Sequence, residues 1–251
     1  MISFIPHIQR LDTPHQYIVE YPESDGQPMA ESDYQLIWLV YLLDALRTYF
    51  AEQEDVYVGA NLMMYLEEDN LNAVVAPDIF FVRGVGKQLR DTYKVWEEGK
   101  VPDLVIEILS KSSVYNDKAL KRGLYAELGV QEYILFDPKF YYLKPALLGY
   151  QLVGDTYQPI PINKLRNGTL VLASQILGLE FRLQGKVLRL VEPTTGTILL
   201  PHEEAERLRR EETQARLVAE AKAQYEAEAR QAAEARVAEL EALVRQLREG
   251  K

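Results

Sequence analysis

Cysteine is absent from all 251 positions, which excludes disulfides, thiolate zinc sites and cysteine nucleophiles and fits a reducing compartment. Histidine is nearly as scarce. His7, His15 and His202 are too few and too scattered for a histidine-rich metal site. Long apolar runs are lacking as well. The strongest, residues 36–43, holds eight apolar residues before Asp44, whereas a spanning helix needs about 20. It reads as a buried core helix, and a membrane is not an expected partner. The N-terminal MISFIPHIQR has no basic segment followed by an apolar run, so no signal peptide is expected and a cytoplasmic location is.

Positive charge is also in deficit. The chain carries 28 Lys and Arg against 38 Asp and Glu. Residues 202–251 hold 10 basic and 12 acidic side chains, which leaves 18 against 26 for the rest, so the acidity lies mainly in the folded part. Non-specific nucleic-acid binding depends on neutralising phosphates with Lys and Arg, and this balance counts against a DNA-handling role. A small basic patch on an acidic body, or metal ions beside carboxylates, offsets that objection locally.

What is present is an ordinary globular balance, 47% hydrophobic and 26% charged, suited to one large domain and an appendage. Residues 1–30, with Pro6, Pro14, Pro22, Pro28 and the turn Asp25-Gly26, form an expected N-terminal arm. Ser32-Asp-Tyr-Gln35 has the form of a capping box opening a helix that carries Leu36, Leu39, Leu43, Leu46 and Phe50 at helical spacing. Residues 56–65 and 72–82 read as the two arms of a hairpin around a polar turn at residues 68–70. Residues 103–110 form a compact apolar strand with an acid inside it. A helix over 116–128 places Leu120, Leu124, Tyr125 and Leu128 on one face and ends at the cap residue Gly129; residues 132–138 form another short strand. Short runs between Tyr141 and Leu200 predict β-rich meanders.

From His202 the composition shifts to Ala, Glu, Arg, Leu and Gln with no glycine until Gly250, which predicts one long helix. Val237, Leu240, Val244 and Leu247 stand at coiled-coil spacing, while upstream the same register gives Ala233, Arg230 and Glu226. A coiled coil at the last two heptads and a solvated helix rich in opposite-charge neighbours both fit.

Two acids stand out. Asp78 follows Pro77 inside an apolar run, and Glu107 lies within another. A strand acid facing a core is costly unless it is paired or binds a metal. Two neighbouring strands that brought Asp78 and Glu107 together would give the hard oxygen pair that Mg²⁺ prefers. Turn chemistry after proline, or pairing with Arg83 or Arg122, explains the same pattern. Asp103 shares the Glu107 face but lies roughly 13 Å along the strand, at the sheet rim. Glu31 reads either as an acid that completes such a site or as one favoured by a helix N-terminus. The 16 tyrosines raise base stacking, but most fall on core-facing positions, and Tyr125 and Tyr133 are expected to pack.

Four ordered blocks, residues 76–82, residues 96–110, Asp117…Lys121…Tyr125 and residues 128–138, resemble the Uma-two family of restriction-endonuclease-like proteins with the PD-(D/E)xK fold. The similarity runs from about Asp25 to Leu200. It implies an α/β core, a mixed central sheet flanked by helices, over residues 31–200. An extra β-rich segment and a charged C-terminal helix over 202–250 complete the chain. It implies further that Asp78 and Glu107 hold Mg²⁺ (or Mn²⁺) and that the protein hydrolyses DNA phosphodiester bonds. In the wider superfamily a lysine two residues after the second acid assists the attacking water; here that position is Leu109. Lys121 matches a lysine of the family pattern and is the expected replacement, ahead of Lys111 and Lys118. As a plain helix lysine it would instead pair with Asp117 at i−4, worth a few tenths of a kcal/mol. The Leu109 departure keeps a second reading open, an inactive nuclease-fold protein that acts as an assembly module. A homo-oligomer, formed through the core or through the C-terminal helix, is then an expected partner beside DNA.

Overall fold

The computed structural model describes residues 8–10, 17–24, 32–111, 113 and 116–249. The chain falls into two units, Met1–Pro201 and His202–Lys251. In the first, β1 (Ile8–Arg10) and β2 (Tyr17–Val19) pair antiparallel. Then comes α1 (Asp33–Tyr49), whose 17 residues contain neither glycine nor proline. Its buried face runs Gln35, Leu39, Leu42, Leu46 at steps of four, three and four, flanked by Tyr41 and Ala45. That face is rotated from the expected one: Leu36 is exposed. The capping box does not form either. Ser32 sits at the N-cap without a side-chain bond, and the Gln35 side chain, the other half of the box, turns inward to another partner.

After α1 come β3 (Val56–Ala60), β4 (Met64–Tyr65), β5 (Val74–Val75), β6 (Ile79–Arg83), β7 (Tyr93–Lys94) and the short α2 (Val95–Glu98). The expected hairpin is split between two sheets. β3 pairs with β6, whereas β4 pairs with β5 and, in parallel, with β7. The break on the outgoing arm is Asn61, held at φ 50°, a left-handed conformation that asparagine tolerates. Its N–H donates to the Pro77 carbonyl at 3.1 Å, where the returning arm breaks.

β8 (Leu104–Ile108) is followed by a π-helical turn (Asn116–Leu120), α3 (Lys121–Leu128) and β9 (Glu132–Phe136). A π turn advances the chain by five residues where an α turn advances four, and so shifts the face that follows. Leu120 therefore points outward, 60% exposed, instead of sharing the buried face with Tyr125. Gly129 caps α3 at φ 84°, as its position predicts. β10 (Leu147–Val153) and β11 (Thr156–Pro159) complete a six-stranded sheet of order β11-β10-β9-β8-β6-β3, in which only β8 and β9 run parallel. β12 (Ile162–Lys164), β13 (Leu170–Ser174), β14 (Leu179–Gln184), β15 (Val187–Val191) and β16 (Ile198–Leu199) form a second, antiparallel sheet, the meander the sequence predicts.

The six-stranded sheet has two dissimilar faces. On one, Val58, Ile79, Phe81, Leu104, Ile106, Ile108, Ile134 and Phe136 pack with α1 and with Leu172, Phe181 and Leu190 of the second sheet. On the other, Tyr57, Phe80, Val82, Val105, Leu109, Tyr133 and Leu135 meet Tyr125 of α3. Side chains alternate along a strand, so neighbours in sequence serve opposite faces. Gly59 is required on the second face, since a Cβ there would sit 2.3 Å from the Phe80 ring.

The second unit is α4 (His202–Glu249). Its described surface is laced with pairs such as Arg216–Glu220 and Arg230–Glu234, each at i,i+4. Among the described residues no helix is long and apolar enough to cross a membrane.

Candidate metal centre

The site begins with register. β6 and β8 are antiparallel with Ile79 opposite Ile106 and Phe80 opposite Val105. One step further along, Asp78 stands opposite Glu107, on the α3 face. The Asp78 backbone N–H donates to Glu107 Oε2 at 3.4 Å. Asp78 is not within the strand, as its apolar surroundings suggest, but immediately before it. Pro77 has no N–H to continue a ladder, and the strand starts after it. The Asp78 carboxylate accepts the Ile108 N–H at 2.6 Å through Oδ2 and the Gln35 amide at 3.4 Å through Oδ1. Glu107 is wholly buried, and Asp78 nearly so.

Lys121 arrives from the helix side. Its Nζ lies 2.9 Å from Glu107 Oε1 and 3.1 Å from Asp117 Oδ1, and it also donates to the Ala76 carbonyl at 3.4 Å. It is therefore no surface lysine; its side chain is 20% exposed. The contact with Asp117 is an ion pair without hydrogen-bond geometry, and Asp117 Oδ2, fully buried, has no hydrogen-bond partner among the described residues. Tyr125, one helical turn after Lys121, donates its hydroxyl to Glu107 Oε1 at 2.9 Å. Tyr133 donates to the Asp117 carbonyl at 2.7 Å. Both tyrosines pack as expected, but each also carries a polar task.

Charge follows from this geometry. Burial pushes the Glu107 carboxyl up to about 8; Lys121 opposes the shift, while Asp78 and Asp117 add to it. For Lys121, burial pulls the ammonium down, but Glu107, Asp117 and Asp78 more than reverse this and hold it above the ordinary lysine value. Burial and the neighbouring Glu107 raise Tyr125, so its hydroxyl stays a donor.

Three carboxyl groups thus crowd one ammonium, and among the described residues Asp117 Oδ2 stays without a hydrogen bond. That deficit of positive charge fits a divalent cation beside Asp78 and Glu107. Among the described residues no three His, Cys, Asp or Glu side chains converge as a cage. Two carboxylates are the donor set Mg²⁺ takes when water and phosphate oxygens fill its remaining positions.

The other candidates fall elsewhere. Asp103 is at the sheet rim, bonded to Arg83 through the backbone N–H at 2.7 Å and the guanidinium at 3.0 Å. Arg122 lies over the Tyr150 ring. Lys111 is exposed beyond the end of β8, and Leu109 is buried in the apolar cluster of the α3 face. The Lys118 side chain and Glu31 lie outside the described residues. Gln35 escaped the sequence reading. The signal was available: it continues the Leu39, Leu42, Leu46 register one turn upstream, a polar residue on a buried face.

A mixed sheet that sets a buried strand acid and a second buried acid just before the neighbouring strand beside a helix-borne lysine defines a restriction-endonuclease-like α/β protein. The chain belongs to the Uma2 family, described as "Putative restriction endonuclease", whose profile matches residues 7–184. A crystal structure described as a putative nuclease belonging to DUF820, from Anabaena variabilis, is similar at 14% identity and a TM-score of 0.41, over 60% of this chain and 77% of that one. No curated protein matches the chain.

Proposed function

We propose that this protein is a Mg²⁺-dependent (or Mn²⁺-dependent) endonuclease that hydrolyses DNA phosphodiester bonds, with Asp78 and Glu107 holding the ion and Lys121 acting on the phosphate or water. The observation that carries the reading is the meeting at Glu107, whose Oε2 accepts the Asp78 backbone N–H at 3.4 Å and whose Oε1 lies 2.9 Å from Lys121 Nζ. When bound, the ion supplies Lewis acidity that stabilises charge on the phosphate and lowers the pKa of a nearby water.

The protein's own groups do the rest. Ile108 N–H and the Gln35 amide fix the Asp78 carboxylate. Lys121, held as an ammonium between two carboxylates, is a donor and a positive charge, not a base. It takes the part of the strand lysine from a different element: the π turn and α3 deliver from the helix what Leu109 does not supply from the strand. Purified protein should nick supercoiled plasmid with Mg²⁺ or Mn²⁺, and Glu107→Ala should abolish nicking. Equal nicking by wild type and variant would sink this reading.

For residues 202–250 we propose self-association through α4, on the exposed Val237, Leu240 and Val244 at steps of three and four. Removing the helix should lower the mass in solution; an unchanged mass refutes it.

A further inference from the structure

Glu107 has two oxygens with different surroundings. Oε1 accepts Lys121 Nζ and the Tyr125 hydroxyl, each at 2.9 Å. Oε2 faces Asp78, whose N–H is 3.4 Å away. Lys121 and Tyr125 are four residues apart and so project from one face of α3. The Tyr125 ring is wholly buried against Tyr133, with centroids 5.3 Å apart. Packing alone would be served by phenylalanine. A buried hydroxyl requires a partner, and this one has a carboxylate oxygen at the centre of the site.

We infer that Tyr125 is a positioning residue: with Lys121 it engages Glu107 Oε1 and so presents Oε2, beside Asp78, to a divalent cation. The inference rests on the metal-centre reading above and assigns Tyr125 a role there. Lys121 alone cannot hold that orientation equally well. Its ammonium is shared with Asp117 and Ala76 on a flexible stem, whereas the Tyr125 hydroxyl is on a ring fixed by its neighbours. Groups that orient metal ligands in this way typically contribute ten- to a hundredfold to affinity.

The test is Mn²⁺ binding to the full chain, without DNA, by titration calorimetry. Tyr125→Phe should weaken binding about tenfold. Tyr157→Phe, which removes a hydroxyl bonded at 2.7 Å to the Val130 carbonyl, should bind as wild type does. Tyr125→Phe that melts lower yet binds Mn²⁺ with unchanged affinity overturns the inference and leaves the metal centre standing. Wild type whose Mn²⁺ binding is not lost in Asp78→Asn overturns the metal centre itself. A measurement on unaltered protein runs in parallel, so a folding defect in the variant decides nothing. The Tyr125 hydroxyl proton, buried against a carboxylate, should give a slowly exchanging resonance that moves when Mg²⁺ is added. A resonance indifferent to saturating Mg²⁺ overturns the inference.

Discussion

The two faces of the six-stranded sheet are built from the same strands and differ by one residue of register. On the α1 face β8 contributes Leu104, Ile106 and Ile108, and β6 contributes Ile79 and Phe81, without a polar atom among their side chains. On the α3 face the same two strands contribute Val105 and Phe80; the next row holds Glu107 of β8 and, immediately before β6, Asp78. One face is a seam that only has to exclude water. The other excludes water and also holds charge, and so needs compensation from outside the sheet. That compensation comes from one segment, the π turn and α3, which brings Lys121 together with Tyr125 and Asp117.

The comparison breaks most sharply at Lys121. Lys121→Met would leave Glu107 and Asp117 buried with no cation, and removing one partner of a buried pair costs about 3–5 kcal/mol. The expected loss in urea unfolding, without divalent ions, is in that range and grows as pH rises through about 8, where Glu107 gives up its proton beside Lys121. A cost that is small and independent of pH would mean the α3 face tolerates its charges unaided. On the other face Ile106→Ala removes apolar volume and nothing else, for about 2–5 kcal/mol. Its cost should be the same at pH 7 and pH 9, and the contrast in pH dependence across that window separates the faces more cleanly than the sizes do.

The third expectation concerns Glu107 itself. Its folded value, about 8, lies above the ordinary carboxyl value of 4.5. Between these limits the folded state binds the proton and the unfolded state does not. Stability without metal therefore rises as pH falls from about 8 to 4.5, by at most ~1.4 kcal/mol per pH unit. Lys121 adds no slope there, because its folded value is raised and its contribution is complete below the ordinary lysine value. Glu107→Gln should flatten the curve, and so should Mg²⁺. A wild-type curve already flat in metal-free buffer would show that Glu107 is ionised throughout.

Much of this division was legible in the sequence, for reasons that differ by residue. The apolar runs around Glu107 and the tail composition from His202 depend on local pattern, and the strand and α4 appear where the pattern places them. Asp78 opposite Glu107 depends on pairing, and the family resemblance supplied it. Three features were not legible. The π turn that turns Leu120 outward leaves no mark in apolar spacing. The hairpin that divides at Asn61 and Pro77 looks continuous in composition. Gln35 matched a capping box more visibly than it matched a partner 43 residues away. At Gln35 a tertiary contact outweighs the local pattern.

The smallest expected effect tests what burial contributes. Arg230 Nε lies 2.9 Å from Glu234 Oε1 on α4, the same separation as Lys121 from Glu107. Their side chains are 81% and 65% exposed, against 20% and 1% for the buried pair. Water and salt screen the exposed charges, and holding two long side chains in place costs entropy, so such a pair contributes about 0.3–0.5 kcal/mol. Arg230→Ala should change the thermal melt of α4, followed at 222 nm, by no more than that, and 1 M salt should erase the difference. The cost of Lys121→Met should survive the same salt, because counterions do not reach a carboxylate sealed beneath α3. If salt removed both costs alike, distance rather than burial would set the strength of these pairs, and the α3 face would lose its claim to be different.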